Sequence, residues 1–346
     1  MNLTELKQDF YKRYSSSDNF LSYSRAGLLC SLLGDISLRH CPSLSCSLSM
    51  HVQVYGRKIS GEIIKLQTTK SNTCIVFHPG NNLPSQHRSL FEMIERLYRF
   101  GIHGAELIFD VSVPDFFNYG KELNAAIFNT LSKIYAISPP IEICSTYNAY
   151  PYHALNTLKK GYCTSTPDNR LIPLPLTGFK IVVIQDIQPD KSNREKQLEK
   201  GFNILKRIYP HIKSFADISP DQLEYSKNAI KDKTLLNYLR HMVDENERIQ
   251  AAAEGLKKCS IKSLVNQMNL SEQSIEKLWN PKKQHIFLAK KSLTIDGVLC
   301  ARSWKNGITA IVSEDNLDYF TDVISYDFEN FSGYRPHICI ADTFGD

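Results

Sequence analysis

A chain of 346 residues, 42% of them hydrophobic and 22% charged, can bury a large core and is long enough for two lobes. Its formal net charge is only +5 and its basic residues are scattered, which argues against the concentrated positive face that nucleic-acid or membrane-surface binding requires. No apolar run approaches the ~18 residues of a membrane span, and the N-terminal stretch is polar and charged, so neither a membrane partner nor an export signal is expected.

From the N-terminus, Leu3, Leu6, Phe10 and Tyr14 recur at helical spacing, and the polar run Ser15 to Asn19 ends that helix as a loop. Arg25 to Met50 follows as RAGLLCSLLGDISLRHCPSLSCSLSM. His40, Cys41, Cys46 and His51 lie close together here, but their spacing fits no zinc pattern. Strand alternation would point Cys46 and His51 to opposite faces, so no metal is expected. All nine cysteines lack a C-x-x-C partner, as free thiols in a reducing cytoplasm do.

Met50 to Gln67 alternates and contains Gly56 and Gly61, predicting an antiparallel hairpin. A polar loop spans His78 to Pro84. Leu90, Ile94, Leu97 and Tyr98 then mark a helix over Ser89 to Phe100, stopped by Gly101, and Gly104 to Val113 reads as a strand. After it comes Asp115-Phe116-Phe117-Asn118-Tyr119-Gly120-Lys121-Glu122-Leu123, opening a helix that carries Ala126, Ile127, Leu131 and Ile134.

Leu171 to Pro175 and Phe179 to Gln185 are short strands, the second apolar on both faces. A helix runs from Ser192 to about Tyr209, and an acidic loop holds Ile218 to Leu223. Leu236, Leu239, Val243, Ile249, Ala253 and Leu256 form the apolar face of a core helix, with His241, Glu245 and Asn246 as inter-helix bonding groups at its edge. Residues 260–279 have the cadence of a helix-turn-helix, with a polar turn at Asn269 to Ser271 and a second helix capped by Ser271. That second helix offers Glu272, Gln273, Glu276 and Lys277, a charge balance that repels DNA, so no nucleic-acid partner is expected. Strands at Gly297 to Arg302, Ile308 to Val312 and His337 to Ala341, with a helix near Leu317 to Tyr326, complete an α+β layer.

Several of these pieces resemble the galactokinase family of GHMP sugar kinases. Leu32-Leu33-Gly34-Asp35 resembles the L-I-G-E of its A-P-G-R-V-N-L-I-G-E-H-T-D signature, and Leu239 to Ala253 fits R-A-x-H-x-V-x-E-N-x-R-V through Arg240-His241, Glu245-Asn246 and Arg248. Ser192 to Lys196 is similar to Y-N-E-R-R, Ile218 to Leu223 to S-P-E-x-L, and Gly297 to Arg302 to G-V-L-G-A-R. The resemblance runs in order from Leu3 to about Asp342. It implies a two-lobed α+β GHMP-kinase fold with lobes near 1–170 and 171–346, substrate lying in the cleft between them.

The residues the family uses for chemistry have changed. The signature arginine's position reads Leu29, and its histidine and aspartate positions read Ile36 and Leu38. The small-residue phosphate loop G-A-G-L-S-S-S-A-A is replaced by Asp115 to Leu123, whose aromatic side chains crowd a close backbone approach. The catalytic aspartate's position reads Pro151 or Tyr152, with no acidic residue from Ser145 to Thr166. The glycine-rich third motif is shortened to Ser303-Trp304-Lys305-Asn306-Gly307.

The resemblance therefore implies a galactokinase-like pseudokinase that binds galactose or a related sugar, senses it, or serves a protein partner. The alternative it leaves open is an active sugar kinase using Mg-ATP through a rebuilt phosphate site. Its site residues by position are Asp35 and Trp279 for the sugar, and Asn118, Gly120 and Lys121 for the nucleotide. Arg25 and Glu122 are candidate substitute charges.

Overall fold

The computed structural model describes residues 1–14, 21–36, 38, 40–71, 73–80, 88–144, 161–166, 168–188, 190 and 192–343. The chain divides into two compact units, one built from Met1–Leu29 with Ser47–Lys159, the other from Cys30–Cys46 with Lys160–Gly345. Both boundaries near the N-terminus fall inside long strands.

In the first unit, helix α1 (Leu3–Arg13) is fixed at its start by a capping box between Asn2 and Glu5. It buries Leu6 and Phe10 against Tyr55 and Ile108. Strand β1 (Leu21–Gly34) pairs with β2 (Ser43–Lys58). The remaining strands are β3 (Ile64–Thr68), β4 (Cys74–Phe77) and β5 (Ala105–Ser112), ordered β4-β3-β5-β2. Arg57 stands directly opposite Glu106 and forms two hydrogen bonds to it across the β2–β5 pair. Helices α2 (Arg88–Tyr98) and α3 (Gly120–Tyr135) pack against each other.

The hairpin expected over Met50 to Gln67 does not form. β2 continues unbroken to Lys58, and β5 lies between it and β3, which runs parallel to β5. Gly56 is a strand residue rather than a turn: a Cβ there would lie 2.3 Å from the Leu107 side chain and 2.7 Å from the Glu106 carbonyl, so it permits a close strand approach.

In the second unit, Ser43 to Cys46 of β2 pairs with β6 (Tyr162–Thr166), which pairs with β7 (Arg170–Pro173). β8 (Phe179–Gln185), β9 (Val298–Trp304), β10 (Gly307–Ser313) and β11 (His337–Ala341) form an antiparallel sheet ordered β11-β8-β10-β9. The helices are α4 (Arg194–Ile208), α5 (Pro220–Ser226), α6 (Lys233–Lys257), α7 (Ile261–Ser274), α8 (Lys283–Ser292) and α9 (Leu317–Ser332). Alternation divides the sheet residues between two helical layers. Val182, Ile184, Ile308 and Ala310 pack with Leu288, Phe320 and Phe328 of α8 and α9, while Cys300 and Arg302 reach Met268 and Ser271 of α7. A further core joins α4 to α6 through Leu198, Phe202, Leu235 and Leu239.

Residues 260–279 contain no helix-turn-helix: α7 runs straight through Asn269 and Ser271 and passes into a π-helical turn at Ile275–Trp279. Ser271 caps nothing, because its hydroxyl is buried and donates to Glu245 at 2.7 Å. The acidic loop after Ile218 is helix α5, started by Ser219 and Gln222, which form a reciprocal capping box with proline in the first turn.

Candidate functional site

The site in the second unit starts from the turn that ends β1. Gly34 has φ +65°, and a Cβ on it would stand 2.0 Å from the Pro42 carbonyl oxygen, so only glycine lets the chain fold back into β2. The backbone N–H of Gly34 donates to the fully buried carboxylate of Glu245 at 2.8 Å. The same carboxylate accepts from Ser271, from Arg302 Nη2 at 3.1 Å and from Arg248 Nη1 at 2.7 Å. Burial pushes this carboxyl up, but the guanidiniums of Arg302 and Arg248 outweigh it and bring it down to about 2. The polar groups of α6 thus bond between elements, as the sequence pattern implies. His241 belongs to the same layer: its Nδ1 lies 2.9 Å from Ser274 Oγ, and burial lowers its pKa to about 3, so the ring is neutral.

Asp35, one residue beyond Gly34, lines a pocket with Arg194, Glu195, Trp279, Trp304 and Lys305, and His241 also lines it. The two residues marked for sugar binding, Asp35 and Trp279, therefore come together. Trp279 is held from several sides. Its ring lies 4.8 Å from His241 and 5.2 Å from Tyr238. The guanidinium of Arg194 sits 5.8 Å from its ring centroid and donates to its carbonyl at 3.2 Å, while also pairing with Asp190. The enclosed space is about 30 Å³, the room of one or two waters, so a larger ligand would engage these walls with part of its surface.

Sequence reasoning did not single out Arg194, Glu195, Trp304 or Lys305 as pocket residues. Arg194 and Glu195 sit in the remnant of Y-N-E-R-R, and Trp304 in the shortened third motif, so motif position was the available signal.

In the first unit, the residues marked for the nucleotide stand at the head of α3. Phe117, Asn118, Tyr119 and Gly120 line a pocket of about 270 Å³ whose other walls are Leu66, Ile75, Leu90, Phe109 and Leu123. No lysine or arginine is among its described lining residues, and Lys121 is exposed outside it. Asn118 Oδ1 accepts the Gly120 N–H at 3.0 Å. Glu122 is turned inward and buried, its Oε1 accepting the backbone N–H of Leu29 at 3.2 Å. Its Oε2 has no hydrogen-bond partner among the described residues, and burial raises its pKa. Arg25 lies with its Nη2 3.3 Å from His51 Nε2 and is not among the residues lining the Asp35 pocket. Pro151 lies outside the described residues.

His40, Cys41 and Cys46 have other surroundings than a metal centre. His40 stacks on Phe202 at 3.8 Å and 9°, and Cys41 belongs to the core joining α4 and α6. Among the described residues, no three potential ligands of this kind converge, and no helix is long and apolar enough to cross a membrane.

No protein-family model matches the chain. Galactokinase from Clostridium tetani is 26% identical over 187 residues, covering 52% of this chain and 46% of that protein. The crystal structure of Lactococcus lactis galactokinase complexed with galactose aligns with a TM-score of 0.83 at 18% identity, over 99% of this chain and 98% of that one. Over about half its length the chain is similar in sequence to galactokinases, and over nearly all of it the chain shares their fold. Its sequence match spans about half the length of the curated galactokinases, 46% for the one from Clostridium tetani. The wider GHMP-kinase fold is shared with Methanococcus jannaschii mevalonate kinase, at a TM-score of 0.60 and 10% identity over 95% of this chain and all of that one. This galactokinase relative retains Gly34, Glu245 and Arg248 of the family patterns and has bulky side chains at the head of α3.

Proposed function

We propose that this protein is a galactokinase-family member that binds a galactose-type sugar at the Asp35–Trp279 pocket and has lost, or nearly lost, phosphoryl transfer. The observation that carries the reading is the head of α3. Transfer of a phosphoryl group rests almost wholly on positioning and on neutralising charge. A triphosphate needs close backbone N–H groups and cations. Here Phe117, Asn118 and Tyr119 line an apolar pocket without a lysine or arginine among its described lining residues, and the first helical turn carries the buried carboxyl of Glu122. These residues do not fit Mg-ATP. Leucine at the signature arginine's position, its backbone bonded to Glu122, points the same way.

The sugar half of the reading is supported by the Asp35 pocket. Trp279 offers an aromatic face, and acidic and basic groups from separate elements surround it, a combination suited to the apolar face and hydroxyl edge of a pyranose. On this reading the protein acts as a sugar sensor or as an accessory to a partner protein.

Calorimetric titration of the full-length chain tests both halves. Galactose is expected to give a saturable binding heat, and Mg-ATP none at the same protein concentration, with no sugar phosphate formed on long incubation. Tight Mg-ATP binding with turnover of galactose or another sugar would overturn the pseudokinase reading in favour of an active sugar kinase. Absence of any galactose heat would overturn the sugar reading.

A further inference from the structure

The chain contains two tryptophans, and both line the Asp35 pocket. Trp279 stands where the family resemblance points to a sugar contact, whereas Trp304 has no such precedent, because it ends β9 within the shortened third motif. That segment is a tight hairpin with Trp304 paired to Gly307 across the Lys305-Asn306 turn.

The hairpin holds Trp304 from both sides. The residue before it, Ser303, donates its backbone N–H and its hydroxyl to Glu272 at 2.6 and 2.8 Å. Beyond it, the Asn306 carbonyl accepts the Asp186 N–H at 2.8 Å. Gly307 lies so close to β8 that a Cβ would stand 1.9 Å from the Ile184 carbonyl oxygen. Backbone held this firmly presents a side chain in one place, the condition for a preorganised binding group.

The indole itself has an unmet requirement. Trp304 Nε1 is buried and has no hydrogen-bond partner among the described residues. A buried N–H without an acceptor is costly, and a ligand oxygen would remove that cost. Next to it, Lys305 Nζ lies 3.9 Å from Glu195, placing a donor and an acceptor at the same pocket. Two indoles, one with an unpartnered N–H, and polar groups lining the same pocket match a neutral pyranose, which offers a C–H face for stacking and hydroxyl oxygens at its edge.

We infer that Trp304 is a second sugar-contacting residue, clasping a neutral hexopyranose together with Trp279 and donating its indole N–H to a sugar oxygen. The inference rests on the reading of this pocket as a sugar site. It assigns the shortened third motif a binding role in place of a glycine-rich loop.

Because the chain has two tryptophans, single substitutions isolate each indole. Full-length Trp279→Phe leaves Trp304 as the sole indole emitter, and its emission is expected to change saturably as galactose is added. Trp304→Leu is expected to weaken galactose binding in calorimetry by about three- to tenfold, the size of one aromatic contact, with circular dichroism unchanged. Trp304→Phe, which keeps a ring but loses the N–H, is expected to fall between, and it serves if the leucine variant does not fold. If galactose binds the wild type but the Trp304 emission stays flat and Trp304→Phe binds like wild type, the inference fails while the sugar reading stands. If galactose gives no heat with the wild type, the sugar reading fails and takes the inference with it.

Discussion

The buried carboxylate of Glu245 on α6 accepts the backbone N–H of Gly34 at 2.8 Å, tying the turn before Asp35 to the helix that best fits the family pattern. Since the same group holds Arg302, Arg248 and Ser271, it links β1, α6, α7 and β9. Glu245→Ala would leave two guanidiniums without their carboxylate and Gly34 without an acceptor, and breaking such a buried arrangement costs about 3–5 kcal/mol. Glu245→Gln keeps an acceptor and is expected to lose less. Urea unfolding at pH 7 measures both, and a loss below ~1 kcal/mol for the alanine variant would contradict the role given to this network. The carboxyl is lowered to about 2 in the fold, so its stabilisation is present above the ordinary glutamate range and is lost as pH falls toward 2.

Gly34→Ala is expected to destabilise the protein by at least ~2 kcal/mol, because φ +65° is costly for alanine. Its Cβ would also stand 2.0 Å from the Pro42 oxygen and 2.8 Å from Ser43 Cα, both backbone atoms that cannot swing aside. The same urea series checks it. A variant within ~0.5 kcal/mol of wild type would mean that the Pro42–Ser43 turn relaxes readily.

His241 makes stability fall in acid. Burial lowers its pKa from 6.5 to about 3, so the unfolded chain takes up a proton well before the native ring does. Its contribution is complete above about pH 6.5 and is lost as pH falls toward 3, at roughly 1.4 kcal/mol per pH unit over most of that window. Between pH 7 and 5 this residue alone should remove ~2 kcal/mol. His241→Gln is expected to be less stable at pH 7, having lost the ring that meets Ser274, yet flatter with pH. Parallel stability profiles for wild type and variant between pH 7 and 5 would show that the ring is not kept neutral.

Much of this molecule was legible in its sequence, for reasons that differ by element. Strands β8 to β11 and the α6 core helix were found because apolar periodicity reports burial directly: Val182 and Ile184, or Leu239 and Val243, have few places to go except a core. The family resemblance marked Asp35 and Trp279, and both line one pocket. The failures concern polar residues whose partners are distant in sequence. Ser271 looked like a cap because serine is favoured at helix starts, yet its hydroxyl bonds to Glu245, which lies on a different helix. The hairpin read over Met50 to Gln67 failed because sequence cannot show β5 pressing against β2 at Gly56. Trp304 went unnoticed since its value depends on three anchors, Glu272, Asp186 and Ile184, that only the folded sheet brings around it.

Glu122 supplies a test that joins stability to the proposed loss of phosphoryl transfer. Its carboxyl is buried at the start of α3, with one oxygen on the Leu29 N–H and the other without a partner among the described residues. Burial raises its pKa, so the ionised form is disfavoured in the fold, and its contribution to stability improves as pH falls toward the raised value. Glu122→Gln keeps an acceptor for Leu29 and removes the charge, so stability at pH 7 should be unchanged or higher by up to ~1 kcal/mol. A loss of more than that would reveal a strong partner for the carboxylate. The variant also separates two obstacles to a triphosphate at this helix start. Phe117 and Tyr119 still line the pocket in Glu122→Gln, so calorimetry is expected to register no Mg-ATP binding. Binding that appeared in this variant would show that the single negative charge, rather than the bulk of the aromatic side chains, keeps the nucleotide out.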